Sequence, residues 1–122
     1  MAIPADSSKL SDLERVFQEI RAKKGQLDIV VANAGILEKA PIGKMTEEHF
    51  DRLFDINVKG LLFTVQNALP LMPDGSSVIL LSSTVSGKGM GNNSLYAATK
   101  AAIGWLERVA SGLAEGTLQW NA

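Results

Sequence analysis

The chain has 122 residues, enough for one domain and too few for two. Its hydrophobic fraction of 46% and charged fraction of 20% suit a folded, water-soluble chain. A formal net charge of -1 with no block of one sign argues against a nucleic-acid or electrostatic membrane binder, and the absence of cysteine excludes disulfides and thiolate metal sites.

The N-terminal stretch MAIPADSSKL lacks a basic segment followed by an apolar run, so no signal peptide is read there. No apolar run is long enough to span a bilayer, and a cytoplasmic protein is expected. SSKLSDLERVFQEIRAKKG predicts a helix, since Leu10, Leu13, Val16, Phe17 and Ile20 recur at helical spacing. Ser8 or Ser11 is expected to cap it, Ser11 with Glu14 matching the capping-box spacing, and Gly25 to close it. Arg15, Glu19, Arg21, Lys23 and Lys24 read as its solvated face. In LDIVVANAG, three consecutive β-branched residues predict a strand buried on both faces, as in a parallel sheet. It ends in small residues, Ala32 to Gly35, where a ligand can approach the backbone.

A helical stretch is expected from about Thr46, a candidate cap, to Leu71, with a break near Asn57 and Gly60 and an end at Pro70 and Pro73. His49, the only histidine, reads as a solvated helix residue beside Glu47 and Glu48. SSVILLSS predicts a second buried strand, and Ser83 to Asn93 a loop rich in Gly, Ser and Asn. A helix follows from about Ser94 to Glu115, and TLQWNA begins another strand. This alternation defines an α/β fold with a mostly parallel sheet and right-handed crossovers. The 122 residues form one domain without repeat or linker.

Ligands of open α/β sheets bind beyond the carboxyl ends of the strands. There the sequence places Asn33, Ala34 and Gly35, then Ser82 and Ser83, while Tyr96 and Lys100 share a helix face at i and i+4. A free tyrosine, with pKa about 10, is a poor base at neutral pH; tuning it to neutrality takes about 4 kcal/mol of preferential phenolate stabilisation. An ammonium about 5 Å away, at an effective dielectric of about 20, supplies about 3 kcal/mol, and a cationic cofactor ring can add the rest. Tyr96 with Lys100 is therefore a reasonable acid/base pair, and Ser83 can donate to a substrate oxygen. The plainer readings are two helix-surface residues, Asn57 as a mere helix interruption and Asp6 as a helix cap.

At these residues the sequence resembles the short-chain dehydrogenases/reductases. YAATK is similar to that family's Tyr-x-x-x-Lys pair, and Ser83 lies thirteen residues before Tyr96, as its catalytic serine does. ANAG resembles its Asn-Asn-Ala-Gly strand end, with Ala32 in place of the first Asn; INVKG resembles the segment of its catalytic asparagine, here Asn57. PADSS resembles the strand end whose aspartate, here Asp6, lies near the adenine ring. The five stretches keep the family's order and spacing.

The resemblance implies a partial Rossmann-like, doubly wound parallel sheet and an NAD(P)-dependent oxidoreductase of small carbonyl or alcohol substrates. Tyr96 would be the general acid or base. Lys100 would lower its pKa and hold the nicotinamide ribose. Ser83 would polarise the carbonyl, and Asn57 would hold a water in a proton relay. Asp6, Asn33, Ala34 and Gly35 would line the NAD or NADP site. The helices at 46–71 and 94–115 would form a homo-oligomer contact. The family's Gly-x-x-x-Gly-x-Gly turn is not in the chain; GKGMG at 87–91 reads as substrate-side loop, and the C-terminal lid is also absent.

No Gly-x-Ser-x-Gly turn supports a serine hydrolase, no residue set supports a metal site, and Trp105 and Trp120 read as packing or interface residues. The competing reading is a truncated, non-catalytic relative that binds a partner or another copy through its two long helices. On either reading the first strand is an apolar edge, so the isolated chain is expected to be poorly stable or to cover that edge with another chain.

Overall fold

The computed structural model describes residues 1–87, 91–113 and 119–121, with side chains described through Arg108. Helix α1 spans Leu10–Lys24. Gly25 closes it with φ 80°, its N–H reaching the carbonyls of Ile20 at 3.3 Å and Arg21 at 3.1 Å. Neither expected serine caps its start. Lys9 stands at the cap position without a side-chain bond, and Ser11 is already helical. Asp6 takes over the entry: its Oδ1 accepts from the Ser8 amide at 2.9 Å and from the Ser8 hydroxyl at 2.7 Å. Asp12 reaches back to the Asp6 amide at 2.8 Å. An aspartate that satisfies the backbone two residues on forms a turn of its own, which holds Ser8 away from the helix amides. Residues 1–8, the PADSS stretch included, form no strand.

Strand β1, Ile29–Ala32, pairs parallel with β2, Ser77–Leu80, from Ile29 opposite Ser77 to Ala32 opposite Leu80. Strand β3, Gln119–Asn121, pairs parallel with the other side of β2, giving the order β1-β2-β3. The expected α/β class with a parallel sheet is what forms, and β3 is the strand read in TLQWNA. One face of the sheet carries the core: Ala32, Val78 and Leu80 pack with Leu61, Val65 and Ile103. The other face corrects the expectation for β1. Burial alternates along the strand, leaving Ile29 63% and Val31 55% exposed. A run of β-branched residues suits two covered faces, but the described helices cover only one.

The stretch expected as one long helix with a break is four consecutive helical segments. Helix α2, Glu47–Phe54, is capped by Thr46, whose hydroxyl accepts from the His49 amide at 3.1 Å. A π-helical turn follows over Asp55–Gly60, then α3, Leu61–Ala68, and a 3-10 turn, Leu69–Leu71. The break at Asn57 is thus a change of hydrogen-bond register, not an end. Helix α4 spans Ser94–Leu113; its expected limit near Glu115 and residues 88–90 of the GKGMG stretch lie outside the described residues, as does the Trp120 side chain.

Candidate active site

The carboxyl ends of β1 and β2 face the first turns of α4 across a cavity of about 360 Å³, walled by Asn33, Gly35, Ile36, Leu81, Tyr96 and Lys100, among others. Helical spacing puts Tyr96, Thr99, Lys100 and Ile103 on one stripe of α4, and the fully buried Ile103 holds that stripe against the core. The Lys100 ammonium lies 5.7 Å from the Tyr96 ring centroid. It donates to the Leu81 carbonyl at 3.0 Å, and Lys100 as a whole is 6% exposed. Burial holds its pKa below the ordinary 10.5. The Ser82 hydroxyl donates to the Lys100 carbonyl at 2.9 Å, so the lysine is fastened to the end of β2 through both side chain and backbone.

Asn57 is completely buried beneath the cavity. Its Oδ1 accepts from the Ile36 amide at 2.8 Å, and its Nδ2 donates to the Ile36 carbonyl at 2.9 Å and to the Thr99 hydroxyl at 3.1 Å. Gly35 sits between Asn57 and Lys100. A Cβ there would stand 3.3 Å from Asn57 Oδ1 and 3.4 Å from Lys100 Nζ, so glycine keeps the approach to the ammonium open.

The other expected site residues are distributed around this centre. Ser83 walls an adjoining hollow of about 650 Å³ that shares Leu81 and Ser82 with the first. Its hydroxyl accepts from the Val85 amide at 3.4 Å. Ala34, with Asn33, lines a hollow of about 70 Å³ between β1 and α3. Asp6 lies at the entry to α1, exposed, its carboxyl held below the usual range chiefly by the Ser8 hydroxyl and next by the Ser8 amide.

Two groups escaped the sequence reading. Thr99 is wholly buried and bonded to Asn57, and its only signal was a polar residue on the apolar stripe of α4. His49 is 7% exposed, not solvated. Its Nε2 lies 3.2 Å from the Glu38 carbonyl, and Arg52 grips the Glu38 carboxylate with two bonds of 2.6 Å. These contacts fold α2 over the loop after β1, which removes the histidine from water. The Arg52 guanidinium, first by its hydrogen bond, holds the Glu38 carboxyl below its ordinary pKa. Among the described residues no acidic or histidine cluster suits a metal ion, and no helix is long and apolar enough to cross a membrane.

The chain thus carries a parallel sheet with Tyr96 and Lys100 beyond the carboxyl ends of its strands. Residues 1–121 match the family model described as enoyl-(acyl carrier protein) reductase. The chain is 43% identical over 113 residues to the oxidoreductase asL5 of Sarocladium schorii, covering 91% of this chain and 45% of that protein. It superposes on a short-chain dehydrogenase/reductase from Serratia marcescens with a TM-score of 0.91 at 28% identity, covering 98% of this chain and 50% of the other. A short-chain dehydrogenase of Burkholderia cenocepacia in complex with NADP gives 0.87 at 28% identity, covering 96% and 49%. The chain belongs to the short-chain dehydrogenase/reductase family. It spans about half the length of these relatives.

Proposed function

We propose that these residues are the catalytic portion of an NAD(P)-dependent oxidoreductase acting on a small carbonyl or alcohol compound. The observation that carries the reading is the buried Lys100 ammonium, 5.7 Å from the ring of the chain's single tyrosine, in a cavity at the strand ends. The residues present fit a nicotinamide riboside. Lys100 and Tyr96 offer donors to ribose hydroxyls, and the Asn33–Gly35 backbone, with no side chain on Gly35, leaves room beside them. A bound nicotinamide would supply hydride to the carbonyl carbon. Tyr96 would deliver the phenolic proton to the carbonyl oxygen, so that one hydride and one proton yield the alcohol. Lys100 would favour the phenolate left behind by charge, and Ser83 would donate to the substrate oxygen from the adjoining hollow. Asn57 would serve a proton relay to Lys100 as well as holding the floor, and Asp6 would meet the adenine end of the cofactor. Either NAD or NADP is compatible with these residues. The half-exposed Phe50 on α2 and the exposed Trp105 on α4 support homo-oligomer contact through the helices at 46–71 and 94–115.

The test is a titration of the purified chain with NADH and NADPH, followed by nicotinamide fluorescence, then turnover of a ketone by the chain and by Tyr96→Phe. Binding at micromolar cofactor, with turnover falling at least about 100-fold in the phenylalanine variant, is expected. No binding at millimolar cofactor would refute the reading for this chain and leave a partner-binding module in its place.

A further inference from the structure

Thr99 has no part in the chemistry just described, yet it is bonded to two residues that do, Tyr96 and Asn57. Its side chain is completely buried. The hydroxyl donates to the Tyr96 carbonyl at 2.7 Å and accepts from Asn57 Nδ2 at 3.1 Å. Asn57 spends its other amide hydrogen and its oxygen on Ile36, at 2.9 and 2.8 Å. The loop after β1, the π-helical turn and the first turn of α4 are therefore joined through one hydroxyl. Threonine is a poor helix former, since its branched side chain loses freedom against the preceding turn. An alanine or leucine would favour α4 more, but would strand an Asn57 amide hydrogen where water cannot reach it.

We propose that Thr99 is a positioning residue for the Tyr96–Lys100 pair. Acting through Asn57 and Ile36, its hydroxyl sets how far the first turn of α4 stands from the end of β1. It thereby sets where the Tyr96 phenol lies relative to the Gly35 wall of the cavity. The proposal rests on Tyr96 being the acid/base group, but its test uses neither cofactor nor substrate.

The chain has one tyrosine, so labelling with ring-13Cζ tyrosine gives one resonance that reports on Tyr96. Thr99→Val keeps the shape and removes the hydroxyl; Thr99→Ser keeps the hydroxyl and removes the methyl. The valine variant is expected to displace the Tyr96 resonance and to speed amide exchange at Ile36 by about tenfold or more. The serine variant is expected to return both to within about twofold of the parent chain. Should circular dichroism show the valine chain unfolded, Thr99→Ala is read in the same way. A variant without the hydroxyl that keeps the parent's Tyr96 resonance and Ile36 exchange overturns the proposal, as does a serine variant that behaves like valine. Failure here leaves the catalytic reading standing, because the nicotinamide titration decides that separately.

Discussion

Gly60 ends the π-helical turn with φ -59° and ψ -42°, angles any residue adopts in a helix. Propensity alone therefore favours Gly60→Ala by about 0.5–1 kcal/mol. The packing opposes it. A Cβ at this position would lie 2.5 Å from the Ser7 carbonyl oxygen and 3.3 Å from that of Asp55. The first distance is 0.9 Å short of the 3.4 Å at which ordinary contact begins. The obstacle is backbone, so no rotamer change relieves it; the entry to α1 must move away from the turn. Forcing an extra methyl into a packed site costs about 1–3 kcal/mol, so the net effect lies between no gain and a loss of about 2.5 kcal/mol. Gly104 in α4 is the control. A Cβ there meets nothing within 4 Å, and Gly104→Ala is expected to gain about 0.5–1 kcal/mol. Urea denaturation of the three chains reads both signs from the midpoints, provided the slopes agree. If Gly60→Ala proves as stabilising as Gly104→Ala, the close approach of Ser7 to the π-helical turn is wrong.

Burying the Lys100 ammonium makes the folded chain hold that proton less tightly than the unfolded chain, so the cost is present at pH 7 and is relieved as pH rises through the folded pKa towards 10.5. Lys100→Met is expected to raise the urea midpoint at pH 7, and this gain should shrink by pH 10; a gain that grows with pH contradicts the burial. The lowered pKa of Glu38 has the opposite sign: its contribution is present above the unfolded value near 4.5 and is lost as pH falls through the folded one. Arg52→Gln is expected to flatten the acid side of the stability profile, and parallel profiles for the two chains would show that the ion pair does not couple to folding. The exposed Ile29 stands on an edge strand, and Ile29→Lys is expected to reduce concentration-dependent association in sedimentation velocity, because a charge there blocks edge pairing. Unchanged association would place the contact elsewhere, the helices bearing Phe50 and Trp105 being the next surface to test.

The order of elements, the Thr46 cap, the Gly25 stop and the Tyr96–Lys100 face were legible because each depends on local spacing and backbone conformation. What misled was information of longer range. The Ile29–Val31 run carries a composition suited to two covered faces, and a strand's own residues do not say which covers are present. His49 looked solvated among acidic neighbours because the loop that buries it, through Glu38, lies eleven residues earlier in the chain. Ser8 had the right chemistry for a cap, but Asp6 binds it first. Asn57 announced a disruption of the helix; that the disruption is a π turn depends on the partners its amide finds, and neither Ile36 nor Thr99 is near it in sequence.

The Asn57 side chain has the outline of a peptide group, an oxygen and an N–H side by side, and it meets both polar atoms of Ile36 as a neighbouring strand would. A helix residue thus supplies one more rung to a ladder that β1 has already left. The last backbone rung is the bond from the Leu81 amide to the Ala32 carbonyl, at 3.1 Å. Asn33, Ala34 and Gly35 hang between these two anchor points as a short span, moored by the sheet at one end and by a single carboxamide at the other. The shape of the cavity wall is then a property of the span as a whole, and a change as small as Asn57→Leu would cast off its far end while leaving every residue of the wall in place in the sequence.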